Sequence, residues 1–145
     1  MKTVSELMTR ELQTHLPSDS LKDVEDTMAK YHIRHVPVLD EEGVLQGLIS
    51  QREFLAEAFR ITDKFGSHLL PDYLAKTPAS KCMKKEPVTV SADLALGEAG
   101  QILRDNRGQG CLLVTNEGGH LEGLLTSQDF VRLAVHLLNE SPSQA

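Results

Sequence analysis

Apolar positions in the first 60 residues follow two different spacings. Leu21, Val24, Met28 and Tyr31 recur at steps of three or four, which is the stripe of an amphipathic helix. Short segments bounded by turn residues lie on either side of this stripe, and such segments are typical of strands. The predicted strands span residues 12–16, 36–39 and 44–49. A helix from Gln51 to about residue 60 then completes a β-α-β-β-α order.

The second half of the chain repeats the first. A shift of 75 places Met8 on Met83 and Leu21 on Leu96, and a shift of 76 then places Gly47 on Gly123. The turn-rich stretch 116–119 is predicted to hold the added residue, because an insertion costs little there. The corresponding elements are strands at 88–90, 111–114 and 121–125 and helices at 94–105 and 127–138. Such a duplication predicts two related units of about 60 residues each.

The repeat sets the expected domain boundaries. Residues 1–60 form the first repeat and 79–140 the second. Between them, 61–78 is a linker that is broken by glycine and proline but has room for a short helix around residues 69–74. The polar tail 141–145 is expected to be flexible.

Composition and charge exclude several classes of protein. Hydrophobic residues make up 40% and charged residues 25%, and 15 Lys+Arg against 21 Asp+Glu give a net charge of −6. An acidic balance with few aromatic residues argues against a nucleic-acid partner. No apolar stretch approaches the ~20 residues of a membrane span, and the start lacks the apolar core of a signal peptide. A cytoplasmic protein without membrane contact is expected, and two cysteines provide no disulfide framework.

Three runs of the first repeat carry a resemblance to a known family. VSELMT (4–9), IRHVPVLD (33–40) and GLISQREF (47–54) resemble a CBS domain, the regulatory unit of cystathionine β-synthase, and the second repeat has similar runs in the same order. The resemblance implies an α/β fold of the α+β sandwich type. It also implies two β-α-β-β-α CBS repeats packed about a pseudo-two-fold axis, with two clefts between them.

The resemblance further implies a non-catalytic regulatory or sensor module. Modules of this family bind adenosine-containing ligands (AMP, ADP, ATP, S-adenosylmethionine or NAD) in the cleft between the repeats, require no other cofactor and often form homodimers. A stand-alone pair of this kind is expected to regulate a separate effector protein. The alternative is a ligand-free homo-oligomerisation or protein-interaction module that uses the helix faces at 54–59 and 130–138. An enzyme is not expected, because the chain has no P-loop, nucleophile elbow or metal-ligand set.

Two matching motifs, Ser50-x-x-Glu53 and Thr126-x-x-Asp129, each end a strand and open a helix. One interpretation is a capping box, in which hydroxyl and carboxylate satisfy the first amides of the helix. The other is a ligand site, since a helix start favours phosphate. In the family, the Ser or Thr binds phosphate and an Asp three residues later binds the ribose hydroxyls. The two interpretations do not exclude each other.

The two sites are expected to differ, with one real site rather than two equal ones. Glu53 stands where the family has Asp, and its extra methylene crowds a ribose or turns the carboxylate back to cap. Arg34 and His35 fall where some relatives place phosphate-contacting residues, and the 75-residue shift pairs them with the uncharged Gln109 and Gly110.

Each of the remaining candidates has a structural alternative. Arg34 also suits a solvated position before a strand, and His35 a partly buried structural histidine. Positions that line the adenine in the family are matched by Leu16, Ser20 and Ile33, which equally fit core or turn roles. The few cations near these motifs favour AMP or ADP over ATP. No metal is expected, because the H-x-x-H pair 32–35 has no third ligand at a suitable spacing.

Overall fold

A computed structural model describes residues 2–140, and the tail 141–145 lies outside this range. Helices and strands are mixed and form two compact units. Of the described residues, 13–87 form the first unit, and 2–12 together with 88–140 form the second. Residues 2–12, which the sequence assigns to the first repeat, therefore belong to the unit that contains the second repeat.

Groups of helices and groups of strands follow one another along the chain. The helices are α1 (Val4–Leu7), α2 (Leu21–Tyr31), α3 (Gln51–Phe65), α4 (Leu70–Lys76), α5 (Leu96–Asp105) and α6 (Ser127–Glu140). The strands are β1 (His35–Leu39), β2 (Leu45–Ser50), β3 (Lys84–Lys85), β4 (Thr89–Val90), β5 (Cys111–Thr115) and β6 (Leu121–Thr126). Short 3-10 turns occupy Ser67–Leu69 and Ala79–Lys81.

Each unit contains one three-stranded sheet, and the two sheets share a plan. In the first unit, β1, β2 and β3 pair antiparallel in that order. In the second, β4 lies parallel to β5, which pairs antiparallel with β6. An isolated bridge extends each sheet by one position, at His15 beside Val38 and at Thr9 beside Leu124. Each sheet thus has four strand positions, and one of the four consists of a single bridge.

Strand register corrects the alignment of the two repeats. His35 lies opposite Ser50, and Cys111 lies opposite Thr126. The 76-residue shift therefore already applies at β1 and β5, and the added residue lies in the loop 106–110 rather than in 116–119. The structural counterpart of His35 is Cys111, so the pairing of Arg34 and His35 with Gln109 and Gly110 was wrong by one residue.

The predicted first strand, 12–16, is not a strand. Within residues 2–140, its ladder contacts run through His15 alone. The His15 amide donates to the Pro37 carbonyl, and the His15 carbonyl accepts from the Leu39 amide. The next amide, that of Leu16, donates instead to the Asp19 carboxylate at 2.9 Å. The next residue that would face β1 is Pro17, which has no N–H, so the ladder does not continue.

Close approach of a neighbouring segment to β2 and to β6 explains two glycines. A β-carbon added at Gly123 would lie 2.5 Å from the Met8 sulfur, and one added at Gly47 would lie 2.7 Å from the Met83 sulfur. Side chains at these positions would displace the segment that packs beside β2 in the first sheet and beside β6 in the second. The sequence pairs Met8–Met83 and Gly47–Gly123 are thus one packing contact that occurs twice.

Residues 61–78 pack into the first unit. Helix α3 continues to Phe65, beyond its predicted end, and the Phe65 ring stacks on Tyr73 of α4 with centroids 4.1 Å apart. Leu74 is buried in the first unit's core. The Thr77 carbonyl accepts from the Leu21 amide at the start of α2. Apolar burial therefore holds this segment in place.

Each unit has its own apolar core. The first is built from α2, β1, β2, α3 and α4, and the second from α1, α5 and the strands β4 to β6. Of the helices in residues 2–140, none has the length and apolar character needed to cross a membrane.

Candidate functional site

The junction of β6 and α6 contains Thr126 and Asp129. Thr126 ends the strand, and Asp129 is the third residue of the helix. One oxygen of Asp129, Oδ2, accepts hydrogen bonds from the Thr126 amide at 2.9 Å and from the Thr126 hydroxyl at 3.4 Å. A carboxylate here also complements the positive end of the helix dipole.

The other oxygen of Asp129 has two partners that the sequence analysis missed. Oδ1 accepts from the Thr9 hydroxyl at 3.0 Å and from Nη2 of Arg132 at 2.9 Å. The same Arg132 nitrogen donates to the Leu7 carbonyl at 3.0 Å. Asp129 is only 6% exposed. An ionised carboxylate has about four acceptor positions, so all of those on Asp129 are occupied by groups of the second unit.

The equivalent junction of β2 and α3 is less crowded. Ser50 and Glu53 form a complete capping box: the Glu53 amide donates to the Ser50 hydroxyl, and the Ser50 amide donates to Oε1 of Glu53. Among residues 2–140, Oε2 of Glu53 accepts no hydrogen bond. The counterpart of Arg132 is Ala56 and that of Thr9 is Lys84. The capping interpretation thus holds here without excluding a ligand.

The first unit brings four predicted site residues together. His35, half-buried at the start of β1, lies opposite Ser50. Arg34 precedes it with an exposed side chain, and its carbonyl accepts from the Gln51 amide at the start of α3. Together with Glu53, these residues surround one helix start.

The predicted adenine-lining residues of the first unit have structural contacts of their own. The Ser20 hydroxyl caps α2 by accepting from the Asp23 amide at 3.1 Å. Ile33 packs against the first unit's core, and Leu16 is half-buried beside the loop at Asp19. These contacts suffice to explain why the three residues lie where they do.

Gln109 is a structural residue. Its side chain is buried and bonds to the backbone of two segments. It accepts from the Val88 amide at 2.8 Å and donates to the carbonyls of Val88 and Cys111 at 2.9 and 2.8 Å. The amide therefore joins the segment that leads into β4 to the start of β5.

A polar triad of the first unit has no polar counterpart in the second. The His15 ring contacts the Asp19 carboxylate at 2.8 Å and the Thr27 hydroxyl at 2.6 Å. Burial opposes ionisation of Asp19, but hydrogen bonds from the Leu16 amide and the His15 ring outweigh it and hold the pKa of this carboxyl below its ordinary value. The counterparts in the second repeat are apolar, namely Val90, Leu94 and Ile102.

The Cys82 thiol is partly buried near two glutamates. Burial raises its pKa to about 12, with further contributions from the charges of Glu57 and Glu53. Glu57 itself is held by Arg60, whose hydrogen bonds lower the pKa of this carboxyl. The lysines that flank Cys82 in sequence do not activate the thiol.

No metal site is formed by the described residues. Within 2–140, no three His, Cys, Asp or Glu side chains lie close enough to hold an ion.

Two helices carry matching exposed apolar faces. Leu55 and Phe59 are exposed on α3, and Val131 and Val135 are exposed at the equivalent positions of α6. Leu138 continues the second face. Spacings of four and three residues place each set on one side of its helix.

Comparison with known proteins identifies relatives of both repeats. A family model described as "CBS domain" matches residues 4–60 and 79–136. An inosine-5'-monophosphate dehydrogenase from Aquifex aeolicus is 32% identical over 80% of this chain, which spans only 21% of that enzyme. A CBS domain-containing protein from Dictyostelium discoideum is 30% identical, with 98% of this chain and 97% of the relative covered.

Solved structures share the fold over nearly the whole chain. A Vibrio cholerae protein named for acetoin utilization (AcuB) superposes with a TM-score of 0.81 at 30% identity, covering 100% of this chain and 98% of its own. The CBS-pair protein CBSX2 from Arabidopsis thaliana, solved in complex with AMP, gives a TM-score of 0.79 at 25% identity, covering 94% of this chain and 98% of its own.

Proposed function

The chain belongs to the CBS domain family, and from this premise we propose that it is a non-catalytic regulatory module that binds an adenosine-containing ligand. The observation that carries the proposal is the strand-to-helix junction built twice, with a hydroxyl at the cap and a carboxylate three residues later. CBSX2, a relative over 94% of the chain, binds AMP.

We assign the principal ribose acceptor to Asp129. Its carboxylate is held in place by the Thr126 amide on one side and by the Thr9 hydroxyl on the other. A pre-oriented carboxylate suits a vicinal diol better than the longer Glu53 side chain, because fewer rotors must be fixed on binding. The Thr126 hydroxyl and the amides at the start of α6 are the groups proposed for phosphate.

The charge near the two junctions favours AMP or ADP over ATP. Arg34 and Arg52 are exposed near the first junction, and Arg132 pairs with Asp129 at the second. ATP carries about two more negative charges than AMP, and each added charge needs a counter-charge to repay its desolvation. Tighter binding of ATP than of AMP in a titration would contradict this preference.

Thermal unfolding with AMP, ADP, ATP, NAD and S-adenosylmethionine tests the proposed function. At about 1 mM, a ligand with a Kd of ~10 μM adds roughly 2.7 kcal/mol to the folded state. For a chain of this length, that raises Tm by about 5–10 °C. A shift with at least one ligand, with AMP above ATP, is the expected result. If none of these compounds raises Tm, the proposal that the chain binds an adenosine-containing ligand is wrong.

A second candidate function is assembly of two copies. The exposed apolar faces on α3 and α6 favour it, because a Phe that is 69% exposed, as Phe59 is, gains free energy when it is covered. We propose that these faces meet in a homodimer. Sedimentation should show a dimer in the wild type and a monomer after Phe59→Glu, whereas Glu41→Lys in an exposed turn should leave the dimer intact. A wild-type monomer would refute the assembly.

A further inference from the structure

Arg132 is hydrogen-bonded to the Asp129 carboxylate, the group to which the proposed function assigns the ribose. Its Nη2 lies 2.9 Å from Oδ1 of Asp129 and 3.0 Å from the Leu7 carbonyl. Since the Asp129 carboxylate has no acceptor position left, a diol that donates two hydrogen bonds must first displace two of the present donors.

The four donors around Asp129 differ in how readily they leave. The Thr126 amide is fixed in the backbone at the end of β6. Thr9 is fixed by two backbone hydrogen bonds to Leu124, although its hydroxyl rotates freely. Arg132, by contrast, has a side chain that is 58% exposed on a long flexible stem. A half-exposed arginine regains water when it leaves, so its release costs little. The Thr126 hydroxyl makes the longest of the four contacts, at 3.4 Å, and the proposed function assigns it to phosphate. Arg132 and the Thr126 hydroxyl are therefore the groups that give way.

We infer that Arg132 is an autoinhibitory latch that competes with the ribose diol for Asp129. This inference rests on the proposed function and adds to it a group that sets the affinity of the site. Two contacts hold the latch closed, one to the carboxylate and one to the end of α1. When the ligand binds, hydrogen bonds from its ribose hydroxyls replace the contact between Arg132 and the carboxylate.

The first unit provides an internal comparison. Its equivalent of Arg132 is Ala56, and Oε2 of Glu53 has no hydrogen-bond partner within residues 2–140. The fold therefore forms the junction without an arginine at this position. Arg132 is a property of the second unit and is not required by the architecture.

Titration calorimetry with adenosine and AMP on the wild type, Arg132→Gln and Arg132→Lys tests the latch. Adenosine is the decisive probe, because it is neutral and its affinity does not respond to the lost positive charge. Arg132→Gln should tighten adenosine binding about two- to five-fold, the factor that corresponds to a half-exposed ion pair. Arg132→Lys keeps one charged donor and should stay near the wild type. The matched control is Arg10→Gln, because Arg10 also donates to a backbone carbonyl of the same unit, that of Ser5.

The outcomes separate the latch from the proposed function. Tighter adenosine binding in Arg132→Gln but not in Arg10→Gln supports the latch, and structural damage does not mimic it, because damage weakens binding. Unchanged or weaker adenosine binding, in a protein whose wild type binds AMP, refutes the latch alone. If neither wild type nor Arg132→Gln binds adenosine or AMP, the proposed function fails and the latch fails with it. Binding that appears only in Arg132→Gln supports both.

Discussion

Replacing Gln109 by Met tests whether this residue joins two strands. Methionine has a similar length but no hydrogen-bonding amide, so it fills the space and removes three bonds to the Val88 and Cys111 backbone. A typical hydrogen bond contributes about 0.5–1.5 kcal/mol net, and a buried group left without a partner costs about 1–3 kcal/mol.

The magnitude follows from the burial of the groups that lose a partner. Val88 is half-buried, so water can reach its amide and carbonyl in part, whereas Cys111 is fully buried and its carbonyl loses the Gln109 donor. We therefore expect a loss of about 2–4 kcal/mol in the free energy of unfolding. At this chain length, that lowers Tm by roughly 6–12 °C.

Urea unfolding followed by circular dichroism measures the effect. The matched control is Gln46→Met, because Gln46 is exposed and its amide makes only long contacts of 3.3–3.5 Å. This control should stay within about 0.5 kcal/mol of the wild type. If Gln109→Met also stays within that range, the three bonds do not stabilise the sheet and the structural role assigned to Gln109 is wrong.

Three further predictions test the packing, the pH dependence and the thiol. Gly123→Ala should cost about 1–3 kcal/mol through overpacking, whereas Gly97→Ala, which has no neighbour within 4 Å, should be neutral or stabilising; equal effects in urea unfolding would contradict the close contact. The lowered pKa of Asp19 means that its contribution is complete above its ordinary value and is lost as the pH falls through the lower folded-state pKa. The stability difference between wild type and Asp19→Asn should therefore be larger at pH 7 than at pH 3, and a pH-independent difference would refute the pairing with His15. Cys82, with a pKa of about 12, should resist iodoacetamide at pH 8 until urea unfolds the protein, and rapid labelling of the native protein would contradict its burial.

Local pattern was enough to predict most of the elements. The apolar stripe predicted α2 at its observed bounds, because the spacing of its apolar residues directly reflects the helix period. The duplicated order of strands and helices, and with it the family, also followed from the sequence. Pattern failed at residues 12–16: the segment reads as a strand, but after the bridge at His15 the next residue that would face β1 is Pro17, which has no N–H.

Only the contacts between residues close in sequence could be predicted at the candidate site. Ser50 with Glu53 and Thr126 with Asp129 are three residues apart, and their capping bonds follow from helix geometry. Thr9 reaches Asp129 across 120 positions, a contact that only the folded chain brings about. Arg132 lies at the i,i+3 spacing from Asp129 that a charge-pair search would have found.

Titration calorimetry with AMP on the wild type, Asp129→Asn and Glu53→Gln tests the central claim most directly. Each substitution removes one carboxylate charge at an equivalent junction, so each variant controls for the other. Loss of a charge-assisted hydrogen bond pair weakens binding by about 10- to 100-fold. The account predicts that AMP binds the wild type, that Asp129→Asn lowers the AMP affinity by this factor and that Glu53→Gln binds AMP about as tightly as the wild type. No AMP binding to the wild type, or a loss confined to Glu53→Gln, would contradict it.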